Sequence, residues 1–213
     1  MDQFLFHLIN ERWTHPALDL FMAAVSDIEI WKPLLIVIGL CLVIFGRFKV
    51  RAFIVCLALT LLVADYLLVS TLKTAIDRRR PKQVQKVRMV QLEPAHPRFL
   101  TLFKQPTIRY SDETDRNKSG PSFPSGHVTD NVIIGTICAL FFRRRGWLYF
   151  LVAAAVGWSR IYLGAHWPSD VIGTAFLAAG EALLMTALAE YLWKRFGPRL
   201  APQLAARHPR LIG

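Results

Sequence analysis

The apolar residues of this 213-residue chain come in long blocks, and that pattern limits its fold more than any other feature. The blocks run from Pro33 to Gly46, Ala52 to Leu72, Val128 to Phe142, Trp147 to Leu163 and Val171 to Trp193. They lack the amphipathic spacing of a soluble element. Inside a bilayer the backbone must satisfy its own polar groups, so such blocks become helices. Pro33–Gly46 is short of the roughly 20 residues a crossing needs and is expected to borrow Ile30 to Lys32. The segment from Pro16 to Ile30 carries Asp19, Asp27 and Glu29 and reads either as a tilted first crossing helix or as an interfacial one. Asp65, deep in Ala52–Leu72, is expected to face protein or a cavity in a packing role.

The expected fold class is therefore all-α, a single polytopic membrane bundle of six transmembrane helices over residues 1–213. Residues 1–14 are expected to form an amphipathic helix with Phe4, Leu5, Leu8 and Ile9 on one side. Asp2, Glu11 and Arg12 leave that stretch unlike a cleavable signal peptide. The basic tail over 196–213 is expected to be peripheral or disordered. The chain holds 26 Lys+Arg against 15 Asp+Glu while 54% of it is hydrophobic, which suits a membrane protein and argues against a nucleic-acid partner. Cys41, Cys56 and Cys138 all lie within apolar blocks and read as small buried residues, without disulfide or metal spacing.

Short basic loops stay cytoplasmic. Arg47/Lys49/Arg51, Arg143–Arg145 and Lys194/Arg195 each abut an apolar block, so they mark cytoplasmic ends. Lys73–Phe123 and Ser159–Asp170 then share the opposite face, and an even number of crossings puts both termini in the cytoplasm. The stretch from Lys73 to Gly120 is too long for a connector and reads as a substrate-facing or partly ordered lid. Its twelve basic residues, Lys118 among them, against five acids supply most of the formal +11.

Candidate chemistry gathers on that one face. In Ser159–Asp170, a carboxylate four residues after His166 can fix one ring tautomer and leave the other nitrogen as nucleophile or base. Pro168 suits the first turn of a helix, which places Asp170 where exposed N–H groups favour an anion. Lys73, Arg80 and Arg160 can hold the non-bridging oxygens of a phosphoryl group. Ser125 and the N–H groups near Gly126 add donors at a helix start. His127 supplies a second imidazole for general acid catalysis. No carboxylate cluster offers a metal site, so neither metal nor cofactor is expected.

Lys73-x6-Arg80-Pro81, Pro124-Ser125-Gly126-His127 and Ser159-Arg160-x5-His166-x3-Asp170 resemble the three signature motifs of the type 2 phosphatidic acid phosphatase (PAP2) superfamily, integral-membrane branch. The resemblance implies that His166 attacks phosphorus and forms a phosphohistidine. It implies that Asp170 orients and charge-stabilises His166, and that His127 protonates the leaving oxygen. Lys73, Arg80, Ser125, Gly126 and Arg160 would bind the phosphate. The implied partners are the bilayer and a lipid phosphate substrate: phosphatidylglycerol phosphate, phosphatidic acid, undecaprenyl pyrophosphate or a lipid A phosphate. The implied location is the bacterial inner membrane, with the site facing the periplasm. A lipid phosphotransferase would use the same residues, and a non-catalytic anion-binding or transport protein could retain the anion site.

Overall fold

Asp27 breaks the chain between two helices. Its backbone is extended, and its Oδ1 accepts the Glu29 N–H at 3.0 Å, capping the helix that follows. That helix, Ile28–Phe45, leaves Leu34, Leu35, Ile36, Val37 and Ile38 about half exposed. An apolar surface of that extent is stable against lipid rather than water. In the computed structural model, Ile28–Phe45 is, among the described residues, one of three helical runs long and apolar enough to cross a membrane; the others start at Phe48 and Pro168. The structure describes residues 1–117 and 120–212, so Lys118 of the basic loop, Ser119 and Gly213 lie outside the described residues.

In chain order, α1 is Asp2–His7, continued by a π turn over Leu8–Arg12, and α2 is Pro16–Ser26. Ile28–Phe45 is α3. Phe48–Val63 is α4, which passes through a π turn at Ala64–Val69 into α5, Ser70–Ile76. The connecting region holds α6 (Pro81–Val84), β1 (Arg88–Gln91), a 3-10 turn (Arg98–Phe103), β2 (Thr107–Tyr110) and α7 (Glu113–Asn117). Then come α8 (Gly126–Phe142), α9 (Tyr149–Tyr162), α10 (Pro168–Leu200) and α11 (Pro202–Arg207).

The centre of the bundle is α8 against α10. On α10, Thr174, Ala178, Ala182 and Thr186 recur every fourth residue and are all buried. Their small side chains let α8 approach closely, as helices in lipid must when no hydrophobic effect drives them together. Val128, Ile133, Ile137 and Phe141 of α8 fill the contact, with Phe53 of α4 meeting Phe141 edge-on at 5.7 Å. The Thr186 hydroxyl donates to the Ala182 carbonyl at 2.6 Å, so its polarity is satisfied within the helix.

The two chain ends lie at opposite ends of this bundle. Asp2 accepts the Ser169 N–H at 2.9 Å, at the start of α10. The tail instead folds back on the far end of α10: Trp193 Nε1 donates to the His208 carbonyl at 2.8 Å, and His208 stacks on Phe48. Glu190 accepts the Leu211 N–H at 2.8 Å and anchors the tail against α10. Within Pro16 to Ile30, expected as a tilted first crossing or an interfacial helix, the helix is α2, Pro16–Ser26. The eleven residues of α2 rise about 16 Å at 1.5 Å each, roughly half a bilayer core, so α2 does not span alone.

The N-terminal helix also turns a different side inward. Phe4 is exposed, whereas Phe6, Ile9 and Asn10 are buried. The cause is the π turn after His7 together with Asn10, whose Nδ2 donates to the carbonyls of Arg88 at 2.9 Å and Tyr162 at 2.7 Å. Beside it, Arg88 Nη2 donates to both oxygens of Asp19 at 2.8 and 2.7 Å, and the Tyr162 hydroxyl donates to Asp19 at 2.6 Å. This buried network fastens α1, α2, β1 and α9 together. The loop is thus an ordered cap with an antiparallel ribbon, Arg88 opposite Tyr110 and Gln91 opposite Thr107, a small exception to the all-α expectation.

Removing Asp19 would leave the Arg88 guanidinium buried without its anion. Asp19→Ala is expected to lose about 3–5 kcal/mol, read as a lower unfolding midpoint in detergent. Asp19→Ala combined with Arg88→Met should recover a substantial part. An unchanged midpoint for the single variant would refute this role.

Candidate active site

The first turn of α10 is built as its sequence suggests. Trp167 is the N-cap, Pro168 occupies the first helical position, and the Asp170 carboxylate accepts the Trp167 N–H at 3.0 Å. The preceding turn folds back on α9, since the N–H groups of Ala165 and His166 both donate to the Arg160 carbonyl, at 3.0 and 3.2 Å. Gly164 makes that turn possible. Its φ is +72°, and a Cβ there would stand 2.9 Å from Val87 Cγ2. His166 is thereby held in the interior, only 3% exposed.

His166 Nδ1 lies 4.0 Å from Asp170 Oδ2, ion-pair range rather than hydrogen-bonding range, and has no hydrogen-bond partner. Asp170 is fully buried and otherwise engaged. Its Oδ1 accepts Arg78 Nη1 at 2.7 Å, and its Oδ2 accepts the Ser122 hydroxyl at 2.5 Å. Burial, with Arg80 and Arg160 nearby, holds the His166 ring well below the ordinary histidine value of 6.5. The ring is therefore neutral at physiological pH, the form that can act as nucleophile.

The other residues expected at the site converge around this ring. Arg80 and Arg160 both act electrostatically on His166 and on His127, and Lys73 acts on His127 and Arg80. Arg80 Nε donates to the Gly120 carbonyl at 2.9 Å. Arg160 Nη1 donates to the Ser26 hydroxyl at 3.0 Å, while its Nε is buried without a partner. Ser125 stands at the N-cap position of α8 without a side-chain cap bond; its backbone N–H donates to the Thr174 hydroxyl at 3.0 Å, and its buried hydroxyl is unpartnered. At Gly126, the first residue of α8, no atom lies within 4 Å of where a Cβ would stand. Cations, a free hydroxyl and an open helix start thus surround two imidazoles. That is what a phosphoryl group needs when positioning and charge neutralisation do the work.

Several supporting residues escaped the sequence reading. Arg78 bridges Asp170 and Asp2, the latter at 2.6 Å. In Arg78-Arg79-Arg80 the motif spacing singles out Arg80 and gives no signal for Arg78. The left-handed Asp77 (φ 42°) ends α5 and separates their directions: Arg78 reaches Asp170, the Arg79 carbonyl accepts Trp167 Nε1, and Arg80 faces the histidines electrostatically. Ser122, Ser26 and Thr174 carried no sequence signal, since a lone hydroxyl in a loop or helix is unremarkable until its partner is known.

Comparison with known proteins bears on this geometry. The family model described as PAP2 superfamily matches residues 49–194. The chain is 44% identical over 64 residues to the bacitracin transport permease protein BcrC of Bacillus licheniformis, covering 30% of this chain and 32% of that protein. It therefore spans about a third of the permease's own length. It is 27% identical over 183 residues to the lipid A 4'-phosphatase of Bacteroides thetaiotaomicron, covering 84% of this chain and 73% of that protein. Among solved structures, Aquifex aeolicus LpxE matches with a TM-score of 0.59 and 26% identity over 86% of this chain and 93% of that one.

A lowered histidine pKa keeps the ring neutral as the pH falls through 6.5 and surrenders that form only further down. In a histidine-labelled NMR titration in detergent, the resonance lost in His166→Gln should therefore show a midpoint below 6.5. A midpoint at or above that value would contradict the site electrostatics described here.

Proposed function

The chain belongs to the PAP2 superfamily, and from that premise we propose that it is a metal-independent phosphatase acting on a membrane lipid phosphate or pyrophosphate through a phosphohistidine. The observation that carries this reading is His166, neutral and buried, with Asp170 at 4.0 Å from Nδ1 and Arg80 and Arg160 beside it. Nδ1 faces the carboxylate, so Nε2 is the attacking atom. An N–P bond forms while the P–O bond to the leaving group breaks, and His127 donates a proton to the departing oxygen. Lys73, Arg80, Arg160, the Ser125 hydroxyl and the N–H groups at Gly126 hold the non-bridging oxygens. Asp170 offsets the positive charge that the ring acquires on phosphorylation. His127, now the base, activates water, which attacks phosphorus, releases phosphate and restores His166. The Bacteroides relative is named for lipid A 4'-phosphate, which supports a bulky anionic headgroup as substrate.

The test is phosphate release from a panel of purified lipid phosphates in detergent with EDTA present. Activity should survive EDTA and be inhibited by vanadate, which can mimic five-coordinate phosphorus. His166→Ala should cost several orders of magnitude, as loss of an attacking group does. Residual activity within about tenfold of the parent would remove His166 from the nucleophilic role.

For orientation we propose five crossings, α3, α4–α5, α8, α9 and α10. The short basic clusters are cytoplasmic, and α1, α2 and the catalytic face lie outside, toward the periplasm of a bacterial inner membrane. Support comes from Asp2 bonding beside Asp170 while the tail packs near Phe48. With Cys41, Cys56 and Cys138 replaced, Gln3→Cys and Glu113→Cys should react with an impermeant maleimide in intact spheroplasts. Arg144→Cys should react only after lysis. Protection of Gln3→Cys alone would restore an even number of crossings; reversal of all three would invert the protein.

A further inference from the structure

The end of the bundle away from the histidines carries a groove of about 550 Å³ between α4, α10 and the folded-back tail. Its walls include Val55 and Leu59 of α4, Leu192 and Phe196 of α10, and Leu211 of the tail. Val55, Leu59, Leu192 and Phe196 stay about half exposed, although the tail has folded over beside them. Arg51 is the one charged residue in this lining among the described residues. From Arg51 to Leu59, α4 rises about 12 Å, most of the roughly 15 Å of hydrocarbon in one leaflet. The groove therefore has the length and the apolar walls to take an acyl chain, with a cation at one end.

The charge at that end is one-sided. Arg51 is exposed, and its Nη2 donates to the Ile44 carbonyl at 3.2 Å. That carbonyl is one of the last of α3, which the helix itself leaves without a donor. The bond steadies the guanidinium at the groove without neutralising it. Residues 46–52 and 191–213 hold eight Lys and Arg residues and no acid. Glu190, just before them, is taken by Lys194 at 3.0 Å and by the Leu211 N–H. Basic residues beside a span attract anionic headgroups by about 1 kcal/mol each near the surface. A second copy of the chain on this surface would set like charges against each other. A phosphate joined to an acyl chain matches both the cation and the apolar walls.

We propose that this groove binds one anionic phospholipid, with its headgroup phosphate on Arg51 and an acyl chain along Val55, Leu59 and Leu192. On the orientation proposed above, that lipid belongs to the cytoplasmic leaflet, opposite the catalytic face, and is not the substrate. The inference does not rest on the phosphatase reading. Leu211 is a wall of the groove and its N–H is held by Glu190, so an occupied groove packs the tail against α10. A zwitterionic phospholipid brings the same chains and a phosphate. Its headgroup cation cancels the phosphate charge and is repelled by the surrounding basic residues, so it binds less well.

Native mass spectrometry of the full chain in detergent, with dioleoyl phosphatidylglycerol or dioleoyl phosphatidylcholine added, compares the headgroups at equal chains. The parent should retain the anionic lipid at about fivefold lower concentration, the scale of one basic residue near an anionic headgroup. Arg51→Gln should lose that preference. Arg144→Gln, at the same end but outside the groove, should leave it intact. Val55→Trp fills the groove without changing the charge, so it should lower retention of both lipids. That variant tests the site even if Arg51→Gln does not fold. Equal retention of the two lipids by the parent, the same loss in Arg144→Gln as in Arg51→Gln, or unchanged retention in Val55→Trp would each overturn the site. A parent that sheds both lipids as it dimerises would give the groove to a second copy and overturn it as well.

Discussion

The site depends on one buried carboxylate that is already committed. Asp170 accepts bonds from Arg78, Ser122 and the Trp167 N–H, and it stands 4.0 Å from His166. Those donors come from the end of α5, the loop before α8, and α10 itself, so a single acid draws three separated segments to one point. Its geometry has an electrostatic consequence. Burial, with the charges of Arg80 and Arg160 beside it, keeps the His166 ring neutral before reaction. The Asp170 charge at 4.0 Å still favours the positive ring that exists only after phosphorus is attacked. Stabilisation that grows as the reaction proceeds is the kind that accelerates it.

Around this acid the cations are in excess. Arg80, Arg160 and Lys73 are set against each other and against two histidines, and burial makes their mutual repulsion costly. The two arginines are tied elsewhere, Arg80 to the Gly120 carbonyl and Arg160 to Ser26. Those bonds fix the guanidinium groups without neutralising them. A phosphate arriving there replaces repulsion with attraction and needs no reorganisation of the walls, which is the meaning of a preorganised site.

How much of this was legible in the sequence follows from the range of each cause. The long helices were legible because composition alone decides them: the apolar blocks after Ala52, Val128, Trp147 and Val171 all lie within helices. The candidate site residues could be nominated from sequence where their spacing is local, a histidine and an acid one turn apart or a proline, serine and glycine opening a helix. The length of α2 was not legible, because its apolar residues suggest a longer helix but it is ended at Ser26 by the Asp27 cap. The inward side of α1 was hidden too, since a π turn shifts the helical register and Asn10 finds partners 78 and 152 residues away. Arg78 was hidden among three adjacent arginines, whose directions are set by one left-handed residue.

The polar loop shows how fixed chemistry and adjustable recognition are kept apart. The reacting groups sit on helix ends within the bundle, where packing of α8 against α10 holds them. Arg98 sits instead on a 3-10 turn of the loop, joined to the bundle through Asp27 and, by way of the ribbon, through Arg88 and Asp19. Asn10, Asp19 and Tyr162 clamp the start of the ribbon, so the described part of the loop is fastened to the bundle there. It acts as a fitted wall whose far part can change without disturbing the histidines. Loops carried by a rigid scaffold are where binding residues can vary at little cost to the fold. On that division, exchange of residues on the 3-10 turn leaves the bonds at Asp170 in place, whereas a change at Asp170 releases Arg78, Ser122 and the Trp167 N–H together.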